Sequence, residues 1–183
     1  MRTFDVTIEG TKPILLHNPA AMKAQSAAGK KTIPTPEKEA LDACYWTPDG
    51  DSLAFPSYAV HSALVNVSFS FKKGKINPRP FVAGSLEIVP DMIPFGTKEY
   101  EIDVRQVVVQ RARILRSRAK LFPWRLSFVL LVDEDFPFSD VRGSLLPMLE
   151  EAGRRIGLGD FRPQRLGPFG KFIVKVFEER TRV

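Results

Sequence analysis

Arginine and glycine carry most of the chemistry available to this sequence. Residues 104–132 contain no acidic side chain, yet they hold Arg105, Arg111, Arg113, Arg116, Arg118, Lys120 and Arg125. Acids gather instead at residues 37–51, 133–135, 150–151 and 178–179. A solvated face ordinarily mixes both signs, so this segregation calls for an anionic partner or for a compensating acidic surface. A second basic segment, residues 157–172, reads Gly-Leu-Gly-Asp-Phe-Arg-Pro-Gln-Arg-Leu-Gly-Pro-Phe-Gly-Lys-Phe. Glycine lets backbone amides come close to a phosphate, while Arg162, Arg165 and Lys171 add charge and, for arginine, planar donors. The spacing of Gly157 and Gly159 is neither a dinucleotide fingerprint nor a P-loop, and it follows a helix instead of opening one. The plain alternative is a helix stop at Gly157 followed by a connector. Lys72, Lys73 and Lys75 form a smaller third cluster.

Rings accompany these cations. Phe122, Trp124, Phe161, Phe169 and Phe172 could stack on bases. Trp124, Phe128 and Phe172 sit on alternating strands and are expected in the core, which leaves Phe161, between Asp160 and Arg162, as the exposed ring. The histidines are His17 and His61. His17, beside a basic loop, has the chemistry of a general acid or base that would activate a ribose 2′-hydroxyl against its neighbouring phosphate. His61 falls on a helix among small and apolar residues and reads as structural. Asp133-Glu134-Asp135 offers oxygen ligands without partners spaced to complete a metal site, so no metal and no cofactor is expected. Cys44, the one cysteine, cannot form an internal disulfide and has no basic neighbour to activate it.

These residues must be positioned by a chain of 183 residues, 44% hydrophobic, with net charge +6 and a pI near 9.6. That fits one domain. No apolar run approaches membrane-spanning length and no signal peptide opens the chain, so a non-membrane, cytoplasmic protein is expected. Residues 2–9 alternate as a half-buried strand, and Ile14-Leu15-Leu16-His17 is a short apolar run. Residues 18–34 read as a mobile, basic loop. Thr35-Pro36 opens a helix running to about Trp46, followed by a turn at residues 48–51 and a short strand at 52–55. A second helix spans residues 56–71, with Val60, Leu64 and Val67 on one side. Strands are expected at residues 81–89, 100–109 and 124–132, with residues 111–116 extended. A helix capped by Ser139 covers residues 140–156, and residues 169–178 form the last strand.

The order matches an α+β, ferredoxin-like (RRM-like) βαββαβ core, with residues 18–75 as an insertion of two helices after the first strand. The glycine-rich segment 157–172, just before the last strand, resembles the signature of the RAMP superfamily of CRISPR RNA-binding proteins. Lys12-Pro13-Ile14-Leu15-Leu16-His17 resembles the end of the first strand in backbone-type members of that superfamily. The loop and its preceding helix are also similar to small phage and prophage proteins. The resemblance implies an RRM-like fold, guide-RNA contacts and side-by-side assembly with like or other effector subunits. The leading expectation is a non-catalytic binder of RNA or another single strand. Its phosphate contacts would be Arg111, Arg113, Arg116, Arg118, Lys120, Arg162, Arg165 and Lys171, with Lys72, Lys73 and Lys75 as a second set. The alternatives are a metal-independent endoribonuclease using His17, and an assembly subunit whose arginines meet an acidic partner.

Overall fold

The computed structural model describes residues 1–20, 34–72, 74–109 and 112–180, without the side chains of residues 108, 109, 112 and 113. Lys73, Arg111 and most of the loop expected at residues 18–34 fall outside it. In chain order the first elements are β1 (Arg2–Gly10), β2 (Ile14–Leu15), α1 (Pro36–Asp42), β3 (Tyr45–Trp46), β4 (Leu53–Pro56) and α2 (Ser57–Ser68). Next come α3 (Arg79–Ser85), β5 (Leu86–Val89), β6 (Met92–Pro94), β7 (Glu101–Val109) and β8 (Ala112–Leu121). The chain closes with β9 (Arg125–Val132), α4 (Val141–Glu151) and β10 (Phe172–Glu179).

The protein is a mixed α+β structure with antiparallel sheets. Its main sheet has the order β10–β1–β9–β5. Alternation decides its two faces: Phe4, Val6 and Ile8 of β1 are buried, opposite Leu130, Phe128 and Leu126 of β9. Helices α2, through Val60, Leu64 and Val67, and α4, through Leu145, Met148 and Leu149, complete that core. Burying one such side chain stabilises the fold by about 1.5–3 kcal/mol. Helix α2 lies inside the span expected to be an insertion, yet it packs against β5 and α4 as part of the core layer. Two three-stranded sheets, β2–β8–β7 and β3–β4–β6, flank the main one.

Three boundaries differ from expectation, each for a local reason. The first helix keeps its Thr35 cap, whose Oγ1 accepts the Lys38 N–H at 3.3 Å, but ends at Asp42. Tyr45 and Trp46 instead pair with Ala54 and Leu53 in a hairpin. Residues 81–85 are helical, not extended. Asn77 Oδ1 accepts the Arg79 N–H, Pro80 suits a first turn, and the Ser85 hydroxyl donates to the Phe81 carbonyl at 2.7 Å. Helix α4 is capped by Asp140, not Ser139, because the Asp140 carboxylate reaches the Gly143 N–H at 2.9 Å. The chain then widens into a π turn (Ala152–Ile156) that Gly157 ends at φ +70°.

Candidate nucleic-acid interface

The glycine-rich loop is clamped onto β2. The Asp160 N–H donates to the Leu15 carbonyl at 2.9 Å and the Gly170 N–H to the Pro13 carbonyl at 2.7 Å. Strand β2 in turn pairs with β8, Leu15 opposite Lys120. The clamp explains two glycines. A Cβ on Gly159 would sit 2.5 Å from the Leu15 oxygen, and one on Gly170 would sit 1.8 Å from the Leu158 oxygen. Both also hold positive φ, +75° and +67°. The amides of Gly157, Gly167 and Gly170 donate within the chain, to the carbonyls of Ala152, Arg162 and Pro13. The expectation that glycine amides would cradle phosphate therefore fails for these three. At these three positions, any grip by the loop must come from neighbouring side chains.

Those side chains meet the hairpin β7–β8. Arg105, Arg118, Phe161, Arg162 and Arg165 line one cavity of about 490 Å³ with Asp160. An adjoining cavity of about 270 Å³ holds Arg116, His17 and Glu39, and Arg118 borders both. The two basic segments of the sequence thus converge on one concave surface. Acids from elsewhere offset part of the charge. Arg116 pairs with Glu39 at 2.8 Å, Arg118 with Asp160 at 2.5 Å, and Arg105 with Asp103 at 2.5 Å. Glu39 is buried and also accepts the Ser117 N–H at 2.8 Å, so it ties α1 to β8. Five arginines face three carboxylates here, which leaves a surplus of two positive charges.

No protein-family description and no curated protein matches this chain.

Several details favour an anion in the larger cavity. Arg162 donates to the Gly159 carbonyl at 3.0 Å and to Gln164 Oε1 at 2.9 Å, both neutral. Burial and the charge of Arg165 push the Arg162 pKa down, against the pull of Asp160. Arg165 is exposed and makes no ion pair among the described residues. An anion between Arg162 and Arg165 would relieve their repulsion. Phe161 is 40% exposed, as its flanking charges predict, and leans on Phe169 at 6.1 Å between ring centres. The Arg105 guanidinium covers the other ring of that pair, 4.5 Å from the Phe169 centre.

The remaining expected contacts lie apart from this surface. Lys120 pairs with Glu101 at 2.6 Å and borders a different cavity, beside Phe122 and Arg125. Phe122 is exposed, whereas Trp124, Phe169 and Phe172 are buried. Lys72 sits over the Phe69 ring after α2, and Lys75 is exposed in the same connection. Lys171 follows the loop, half-buried, and its carbonyl accepts the Thr11 N–H. Arg113 lies at the far end of β8, opposite Val108. His61 Nε2 bonds the Ala83 carbonyl at 3.1 Å. Cys44 is buried, with its thiol pushed up to about 12, chiefly by burial. His17 is half-buried; burial lowers its pKa, Asp160 opposes, and Arg118 and Arg116 lower it further. Its ring is therefore neutral at neutral pH. Sequence reasoning did not single out Arg105, or see that Asp160 and Glu39 pair with Arg118 and Arg116. Only their places in the fold, dozens of residues apart in the chain, reveal them.

Proposed function

We propose that this protein binds single-stranded nucleic acid, RNA above all, by holding phosphates on Arg118, Arg162 and Arg165, with Arg105 and Arg116 behind them. The observation that carries this reading is the convergence of two distant basic segments on one concave surface with an uncancelled positive charge. Phe161, partly exposed at the same cavity, supplies a ring on which a base can stack. The main sheet's order, β10–β1–β9–β5, supports a ferredoxin-like core. In that reading α2 bridges the first and second core strands, and α4 the third and fourth. That core is compatible with the RAMP-type resemblance; guide-RNA contacts, side-by-side assembly and a cytoplasmic location belong to the same proposal and rest on the resemblance alone. Among the described residues no helix is long and apolar enough to cross a membrane.

Arg165 gives the cleanest test, because it is exposed and supports no ion pair among the described residues. Arg165→Ala should weaken binding to a single-stranded RNA about tenfold. It should also reduce the slope of log affinity against log salt by roughly 0.7, the value for one lost single-strand phosphate contact. The melting temperature should not change. Unchanged affinity and slope in folded protein would overturn the reading.

A further inference from the structure

A further cavity, also about 270 Å³, opens between the glycine-rich loop and α2. It shares Asp160 and Arg162 with the arginine-lined cavity and His17 with the adjoining one, so the loop borders both sites. Its floor is apolar: Phe55, Ala63 and Leu158 are buried there. Its rim is polar and only partly committed. Asn66 donates to the Ser62 carbonyl and hydroxyl, which leaves its own oxygen open to a donor. Gln164 accepts from Arg162 through Oε1, which leaves its amide N–H groups open to an acceptor. His17 adds a neutral imidazole. Tyr58, 61% exposed, stands at the rim. The hydroxyls of Tyr45 and Tyr58 lie 3.3 Å apart, and Tyr45 also bonds the His17 carbonyl at 3.0 Å. Tyr58 thus presents a ring at the rim, tied at its hydroxyl to Tyr45.

We propose that this cavity receives one unstacked nucleobase of the strand whose phosphates lie on Arg118, Arg162 and Arg165. The inference rests on the nucleic-acid reading and adds a base-binding site to it. An apolar floor and an aromatic wall suit the face of a base. An amide donor, an amide acceptor and an imidazole suit its hydrogen-bonding edge. The volume lies just below the roughly 300–1,000 Å³ usual for drug-sized ligands, which matches a single base and not a folded segment. Arg162 borders both cavities, so the phosphate and its base would sit on either side of one side chain.

The test compares a short single-stranded RNA with the same strand stripped of its bases, which keeps every phosphate. Wild-type protein should prefer the base-bearing strand about tenfold or more. Ser62→Trp fills the cavity from an exposed helix position and should remove the cavity's share of that preference, leaving what stacking on Phe161 supplies. Its affinity for the abasic strand and its salt slope should stay those of wild type. Tyr58→Ala with Asn66→Ala removes the wall and the acceptor instead, and should act the same way should Ser62→Trp fail to fold. A folded variant that keeps the full preference would overturn the base site and leave the phosphate reading standing. A wild-type protein that binds neither strand would overturn both.

Discussion

The open face of the main sheet and the cleft beside the glycine-rich loop are both made of paired charges, and they differ in what is left over. On the open face Arg125 pairs with Glu9 at 3.0 Å and Arg180 with Asp5 at 2.7 Å. The register also places Glu87 and Glu178 there, while the irregularity opposite Thr7 and Ile8 leaves Lys175 out of the ladder. Three cations thus meet four carboxylates, and the side chains between them are Thr7, Ser127, Val129, Leu131 and Val176. No ring stands among them. In the cleft, five arginines meet three carboxylates around an exposed phenylalanine. A strand-binding face needs a positive surplus and a stacking surface, and only the cleft has both. On the proposed reading, residual charge and not the sheet's topology selects the face that binds.

The largest effect expected is on the scaffold of the cleft. Gly170→Ala places a Cβ 1.8 Å from the Leu158 oxygen at φ +67° and should cost roughly 3 kcal/mol or more in denaturant unfolding. Gly50→Ala, at φ +72° with nothing within 4 Å, should cost only about 1–2 kcal/mol. Equal losses would mean that the loop is not clamped as described. Next comes the contrast in binding itself. Arg118→Ala with Arg165→Ala should weaken RNA binding about a hundredfold in an anisotropy titration, by losing two phosphate contacts. Arg125→Ala with Arg180→Ala, on the open face, should stay within about twofold, since exposed pairs contribute little. A larger loss from the open-face pair would reverse the assignment of faces.

The smallest effect concerns His17. Its folded-state pKa lies below the unfolded value, so the unfolded chain binds the extra proton more readily. Stability from this group is complete above the unfolded pKa, near 6.5, and is lost as pH falls from there toward the depressed folded value. Melting temperatures between pH 7.5 and 5.5 should therefore fall slightly further for wild type than for His17→Asn. Equal falls would show that burial does not disfavour the charged ring.

What could be read from the sequence was local and periodic. Phe4, Val6 and Ile8 alternate, as do Leu126, Phe128, Leu130 and Val132, and all seven are buried. The Val60, Leu64 and Val67 stripe faces the core. Residues 81–85 were misread because Val82 is the only apolar side chain of that short helix to be buried, too little for a visible stripe. The basic segments were legible as charge but not as a site. Arg116 and Glu39 are separated by 77 residues, and no spacing rule predicts that a buried acid will claim that arginine. The glycines were legible as special, yet for the wrong reason: at Gly159 and Gly170 they admit a carbonyl of the protein's own chain, not a phosphate.

Strand β1 owes both its neighbours to the far half of the chain. Arg180 reaches Asp5 across 175 residues, and β10 joins β1 only after the glycine-rich loop has been made. On the ribosome, β1 waits with bare edges while almost everything else is synthesised, an invitation to pair with another nascent chain. The cleft is finished at the same late moment, because the clamp of Asp160 and Gly170 onto residues 13–15 is what closes it. A partly made chain thus carries the charge of the proposed binding face without its shape, and on that reading capture of a strand must wait until synthesis of this domain is almost over.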